Sequence, residues 1–200
     1  VFSWEWEEAT LSELADIRSG GTPSTSDATL WDGDIAWVTP TDITALDGRK
    51  FLSGTTRTIS RAGLRQSSAE LLPEGTIVMT SRATIGECAI STIPLTTNQG
   101  FKNFIPNNRA DRDFLYYLLT SQKKGFIELC SGSTFLEIGK TQLTGYTVRV
   151  PKTKREQQAI AAVLSDMDAE IQALESRLTK ARAVKEGMMQ NLLTGRVRLV

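Results

Sequence analysis

Histidine is absent from this 200-residue chain, and that single absence removes a large share of enzyme chemistry. Without imidazole there is no Ser-His or Cys-His nucleophile pair. Cysteine is nearly absent too: Cys88 and Cys130 are the only two and show no CxxC spacing, so a zinc centre lacks its usual donors. Both thiols are expected to be buried and reduced. No run approaches the roughly 18 consecutive apolar residues of a membrane span, and the first ten residues, VFSWEWEEAT, lack the positive charge and cleavage site of a secretory signal. The expected location is the cytoplasm.

Cofactor cradles are missing as well. No strand-like segment leads into GxGxxG, and there is no NPPY-like or DPPY-like string of the kind adenine methyltransferases use. Gly139-Lys140-Thr141 resembles the end of a phosphate-binding loop, but that loop needs a glycine at position 134, which is Thr134, and no helix clearly opens after it. The acidic cluster Glu5, Glu7 and Glu8, interleaved with Trp4 and Trp6, reads as a solvated strand edge. Neither a catalytic nor a metal site is expected, and no cofactor is expected on this chain.

Net charge is zero, yet it is unevenly spread. Residues 1–50 carry 3 basic and 10 acidic side chains, net −7; residues 51–150 carry 11 and 7, net +4; residues 151–200 carry 9 and 6, net +3. A basic middle leaves room for a local positive face able to meet phosphates. A randomly mixed surface fits these totals equally well.

The last quarter carries the strongest pattern. Leu164, Ile171, Leu178, Lys185 and Leu192 fall on a positions of a heptad, with Ile160, Met167, Leu174, Ala181 and Met188 on d; this is a coiled-coil seam on one long helix. Pro151, then Thr153 with Glu156 as a capping box, marks its start, and Gly195 its end. Residues 154–194 would form a rod roughly 60 Å long, longer than a domain of about 15 Å radius of gyration needs for its own core. An ordinary amphipathic helix lying on its own domain would show a wider apolar face. The seam therefore requires a partner helix, and residues 151–200 separate from a domain at 1–150.

Within that domain, Thr10 and Glu13 predict a capped helix running to Gly20-Gly21, followed by the polar loop GGTPSTSDAT. Asp34–Ile43 reads as a strand broken at Pro40, and Thr76–Ser81 as a β-branched strand punctuated by Gly86 before ECAIST. Residues 98–105 read as another strand, Asp111–Lys124 as a helix closed by Gly125, and Tyr146–Val150 as the last strand. The mixture is α+β.

Seven strings taken in order carry a family resemblance: GGTPST (20–25), WDGDIAWVTPTDI (31–43), LPEGTIVMTSRATIG (72–86), TTNQGFKNFIP (96–106), GSTFLEIGKTQL (132–143), VPKTKREQQAIAAVL (150–164) and LLTGRVRL (192–199). Each is weak alone; ordered over nearly the whole chain, they resemble the specificity subunits of type I restriction-modification systems of bacteria and archaea. The resemblance implies a globular target-recognition domain with a small mixed, curved β-sheet and flanking helices, followed by a long helix forming half of an antiparallel coiled coil. Such subunits usually carry two recognition domains and two long helices, whereas this chain has one of each. It resembles a half-length subunit, or one half of a longer one, that would form a homodimer and read an interrupted palindrome. The implied partners are double-stranded DNA, an adenine-methylating (M) subunit holding S-adenosylmethionine, and a translocating and cleaving (R) subunit using ATP and magnesium.

Candidate DNA contacts follow from side-chain chemistry: arginine, asparagine and glutamine read base edges, while basic and small hydroxyl groups meet phosphates. The stretch 55–68 offers Arg57, Arg61, Arg65 and Gln66, though a surface helix with solvated arginines would look the same. Ser81, Arg82 and Thr84 follow a strand, Gln99 and Lys102 lie in NQGFK, and Ser133 and Thr134 in GST. The competing reading is a coiled-coil interaction or scaffold protein that joins partners without reading DNA, which the zero net charge permits.

Overall fold

In the computed structural model, which describes residues 5–130 and 136–199, the first element is β1 (Trp6–Thr10), followed by α1 (Leu11–Leu14) and β2 (Ala15–Ser19). The capping box is formed: the Thr10 N–H donates to Glu13 Oε2 at 2.7 Å. The helix expected to reach Gly20-Gly21 nevertheless stops after one turn. Ala15 and Ile17 alternate inward against exposed Asp16, a period of two that suits a strand pairing across to Phe104 and Pro106.

A 3-10 turn, Ala28–Leu30, leads into β3 (Trp31–Val38) and α2 (Pro40–Thr44). The strand expected at Asp34–Ile43 thus begins earlier and ends before Pro40. Proline fits the first helical position, where its missing N–H costs nothing. Next come β4 (Phe51–Leu52), β5 (Arg57–Ile59), α3 (Arg61–Arg65), β6 (Ile77–Thr80), β7 (Cys88–Ser91), β8 (Thr96–Thr97) and β9 (Phe101–Pro106). Two helices, α4 (Arg112–Ser121) and α5 (Lys123–Glu128), replace the single one expected to close at Gly125. The break falls at Gln122, and Gly125 lies inside α5, where a Cβ would sit 2.1 Å from Tyr146 Oη; close packing explains that glycine. The chain continues through α6 (Lys140–Thr144) and β10 (Thr147–Pro151) into α7 (Lys154–Leu193). A helix does open after Gly139, against expectation, because the Gly139 N–H is met by Gln142 Oε1 at 2.7 Å.

Among the described residues the result is an α+β fold with three sheets: a five-stranded sheet ordered β2-β9-β6-β7-β4, a three-stranded sheet ordered β5-β3-β8, and a β1-β10 ribbon. β6 is buried on both faces and pairs antiparallel with β7 and β9. Val38, Ile43, Leu52, Leu72, Val78, Ala89, Leu95 and Phe101 form one core cluster. A second, of Leu30, Trp31, Trp37, Ile59 and Ala69, underlies the three-stranded sheet and α3. Each buried Val, Leu, Ile or Phe side chain among these contributes roughly 1.5–3 kcal/mol.

The chain divides into two units, Val1–Gln158 and Ala159–Val200. In the first, the start of α7 is anchored by buried Gln157, whose Oε1 accepts the Asp111 N–H at 2.8 Å and whose Nε2 donates to the carbonyls of Arg109 and Pro151. Thr153 Oγ1 caps the Glu156 N–H at 3.3 Å. In the second, Met167, Ile171, Leu174, Leu178 and Met188 are each about half exposed, and Gly195 adopts φ +69° at the helix end. Among the described residues no helix is long and apolar enough to cross a membrane. Cys88 and Cys130 are free and half-buried rather than fully buried.

Candidate nucleic-acid interface

The three-stranded sheet organises the cationic stretch. β3 pairs antiparallel with β5, setting Trp37 opposite Arg57, and parallel with β8. A bulge between Trp31 and Ile35, with Asp32 at φ 56°, brings both tryptophans into one cluster. Their rings meet edge to face at 4.9 Å and 83°. The Arg57 guanidinium lies 4.0 Å above Trp31 and 5.2 Å from Trp37, a cation–π arrangement. Both indole N–H groups donate to the polar loop, Trp31 to the Ser24 carbonyl at 2.9 Å and Trp37 to the Gly21 carbonyl at 3.0 Å.

Ser60 caps α3 by accepting the Gly63 N–H at 3.1 Å. On this short helix Arg61 and Arg65 stand one turn apart and are exposed, as is Gln66 at its end. Arg61 reaches Asp34 at 3.5 Å with both groups largely solvated, so this pair contributes little to stability. Arg61 and Arg65 border a depression of about 450 Å³ lined also by Asp34, Ile35, Leu64, Leu71 and Pro94. Its floor is apolar, and Asp34 stands beside the two arginines at its edge.

The Gln99 side chain is exposed and accepts a hydrogen bond from Thr22 Oγ1. This joins NQGF to GGTPST, and the Gly21 N–H also donates to the Thr97 carbonyl at 2.8 Å. Gln99, the polar loop and Arg57 are therefore connected through Trp37.

The other candidates divide. Arg82 and Thr84 are exposed in the turn between β6 and β7, and Arg82 pairs with Glu137 at 3.0 Å. Ser81 is fully buried and Lys102 is 6 % exposed, so these two candidates do not share the exposed surface of Arg82, Thr84 and Gln99. Ser81 is held between strands by its N–H to the Gly100 carbonyl at 2.7 Å and by its own carbonyl accepting from Ile138. Lys102 Nζ donates to Ser81 Oγ at 3.5 Å and to the Phe101 carbonyl at 3.4 Å. Its desolvation, partly offset by Glu137, lowers its pKa from the ordinary lysine value. Ser133 and Thr134 lie outside the described residues.

Asp42 escaped the sequence reading, although Thr39 three residues before it was a capping signal. It is buried and accepts hydrogen bonds from Thr39 and Thr56. Burial alone would raise its pKa; the bonds from Thr56 and Thr39 more than reverse that and hold the carboxyl below its ordinary value. Among the described residues no cluster of three or more Cys, Asp or Glu side chains could hold a metal ion.

Residues 4–181 match the family described as the type I restriction modification DNA specificity domain. The chain belongs to that family. Among curated relatives, it is 37 % identical over 166 residues to the type I restriction enzyme MjaIX specificity subunit of Methanocaldococcus jannaschii, covering 82 % of this chain and 38 % of that protein. It is 28 % identical over 171 residues to the EcoR124I/EcoR124II specificity subunit of Escherichia coli, covering 82 % and 41 %. The HsdS subunit from Thermoanaerobacter tengcongensis has the same fold at a TM-score of 0.69 and 16 % identity, covering 96 % of this chain and 45 % of that one. A chain from a study of assembly and conformational transition of the type I R-M system superposes at 0.73 with 20 % identity, covering 95 % and 45 %. The chain thus spans about two fifths of the length of these curated relatives.

Proposed function

We propose that this chain recognises DNA sequence for a type I restriction-modification complex, reading one half of a bipartite target, with no catalytic role of its own. The observation that carries the reading is the exposed set Arg57, Arg61 and Arg65 on β5 and α3, mounted on a buried tryptophan cluster in a domain of the specificity family. Methylation would reside in an M subunit with S-adenosylmethionine, and translocation and cleavage in an R subunit with ATP and magnesium.

The half-exposed seam of α7 supports pairing with a second copy. Asp166, Asp168, Glu170 and Glu175 precede Arg177, Lys180, Arg182 and Lys185. An antiparallel pair sets the acidic half of one helix against the basic half of the other, whereas a parallel pair opposes like charges. Full overlap of the seam sets Leu174 against Leu178 at the centre, Met167 against Lys185, and Ile160 against Leu192. Two-fold symmetry then presents two identical half-sites in inverted orientation, and the helix of roughly 60 Å spaces them.

The test is equilibrium binding of the chain, with its methylating subunit, to duplex DNA across a salt series. The expected result is affinity that falls steeply with salt and at least about tenfold weaker binding by the folded triple variant R57A/R61A/R65A. Unchanged binding by that variant would place the DNA contact on other residues, and absence of salt-dependent binding by the unaltered chain would move the function to a coiled-coil interaction protein.

A further inference from the structure

We infer that Arg57 is a base-reading residue of the half-site and that the base it reads is guanine; this rests on the DNA-reading function proposed above. Several arginines of the same unit are committed to carboxylates, Arg61 with Asp34 among them. Arg18 pairs with Asp16 and Glu70, Arg82 with Glu137, Arg109 with Glu7 and Glu13, and Arg112 with Asp113. Arg57 is exposed, and among the described residues no carboxylate lies within 4.0 Å of it. Its place is nevertheless set by β-pairing to Trp37 and by the Trp31 ring beneath its guanidinium.

The Trp31 ring lies 4.0 Å from the guanidinium carbon and so occupies one side of the group. The Arg57 side-chain N–H donors have no hydrogen-bond partner among the described residues. The rings beneath are themselves fixed, each indole donating to a loop carbonyl. An exposed, oriented fork with open donors is what bidentate recognition of guanine O6 and N7 requires, and its ordering occurs before binding rather than during it. Arg65 is also exposed, but no ring is found beneath it among the described residues, which suits an adaptable phosphate contact.

The test is selection from a pool of randomised duplexes, run in parallel for the unaltered chain, Arg57→Met and Arg57→Lys, each with the methylating subunit. Methionine keeps apolar contact with the tryptophans and removes the donors; lysine keeps the charge and removes the planar fork. The unaltered chain is expected to enrich a guanine at one fixed position in each half-site. R57M should lose preference there by about 10- to 100-fold and keep the other positions, and R57K should lose less, because an ammonium still donates to guanine O6 and N7 without the planar fork. If R57M fails to fold, Arg57→Leu, which also keeps apolar contact and removes the donors, carries the same comparison. A consensus unchanged in both variants, with a smaller salt slope for R57M, makes Arg57 a phosphate contact and overturns the inference. An unchanged consensus with unchanged salt slope makes it a packing residue and overturns it equally. If the unaltered chain enriches a site without a fixed guanine, this inference alone fails; if it enriches nothing, the DNA-reading function fails with it.

Discussion

Asp42 Oδ1 accepts both the N–H and the hydroxyl of Thr56, at 2.8 and 2.7 Å, while Oδ2 accepts the N–H and hydroxyl of Thr39 at 2.8 and 2.7 Å. One carboxylate thereby ties the start of α2 to the residue immediately before Arg57. The position of the candidate reading residue depends on a side chain that cannot itself reach a ligand.

Replacing Asp42 by Asn puts an NH2 donor against the donors of one threonine. A loss of about 2–3 kcal/mol in urea unfolding is expected, since hydrogen bonds to charged groups are the stronger kind and the threonine groups would be left unpaired. The pH dependence has a definite sign. The folded pKa is lowered, so the stabilisation is complete above the unfolded value of about 3.9 and is lost as pH falls through the lower folded value. The stability gap between the two proteins should therefore shrink on acidification; a constant gap would remove the charge from the account.

Gly20 and Gly21 are required by close backbone approach. A Cβ on Gly20 would lie 1.8 Å from the Asn98 carbonyl oxygen, and one on Gly21 2.3 Å from the Ser68 carbonyl carbon. Either substitution to Ala should cost upwards of about 2 kcal/mol because backbone must move. Gly54 faces open space, and G54A should stay within about 0.5 kcal/mol. Thermal midpoints of the three variants decide this.

These cases show what the sequence could and could not convey. The long helix was legible because its heptad, Thr153 and Gly195 are local signals. β2 was hidden because Leu11, Leu14 and Ala15 satisfy a helical period before Ala15 and Ile17 satisfy a period of two. The family strings located the loops that meet at Gly21, Thr22 and Gln99. The tryptophan support of Arg57 depends on the pairing of β3 with β5, which no local spacing encodes. Ser81 and Lys102 looked accessible because polarity suggests solvent, and only the strands around them determine their burial.

Self-association should be abolished by I171D combined with L174D, since both side chains lie on the seam, and sedimentation velocity reads it directly. The Val1–Gln158 unit should keep its thermal transition. Lys185→Leu should tighten self-association, because a lysine at an a position sets register at a cost in stability. A dimer that survives the double aspartate change would place the interface elsewhere.

Burial pushes the Cys88 thiol up to about 12. Its thiolate fraction at pH 8 is then far below that of a free cysteine. In a Cys130→Ser background, alkylation of Cys88 should be correspondingly slow in the native protein and reach the ordinary rate in denaturant. Rapid native labelling would contradict the raised pKa.

The central claim, that this chain reads a half-site and pairs through α7, is tested most directly by the sequence preference of the unaltered chain with its methylating subunit on randomised duplex DNA. The account predicts an interrupted palindrome with a fixed gap. Single or asymmetric half-sites would contradict the homodimer, and the absence of any enriched sequence would contradict DNA recognition itself.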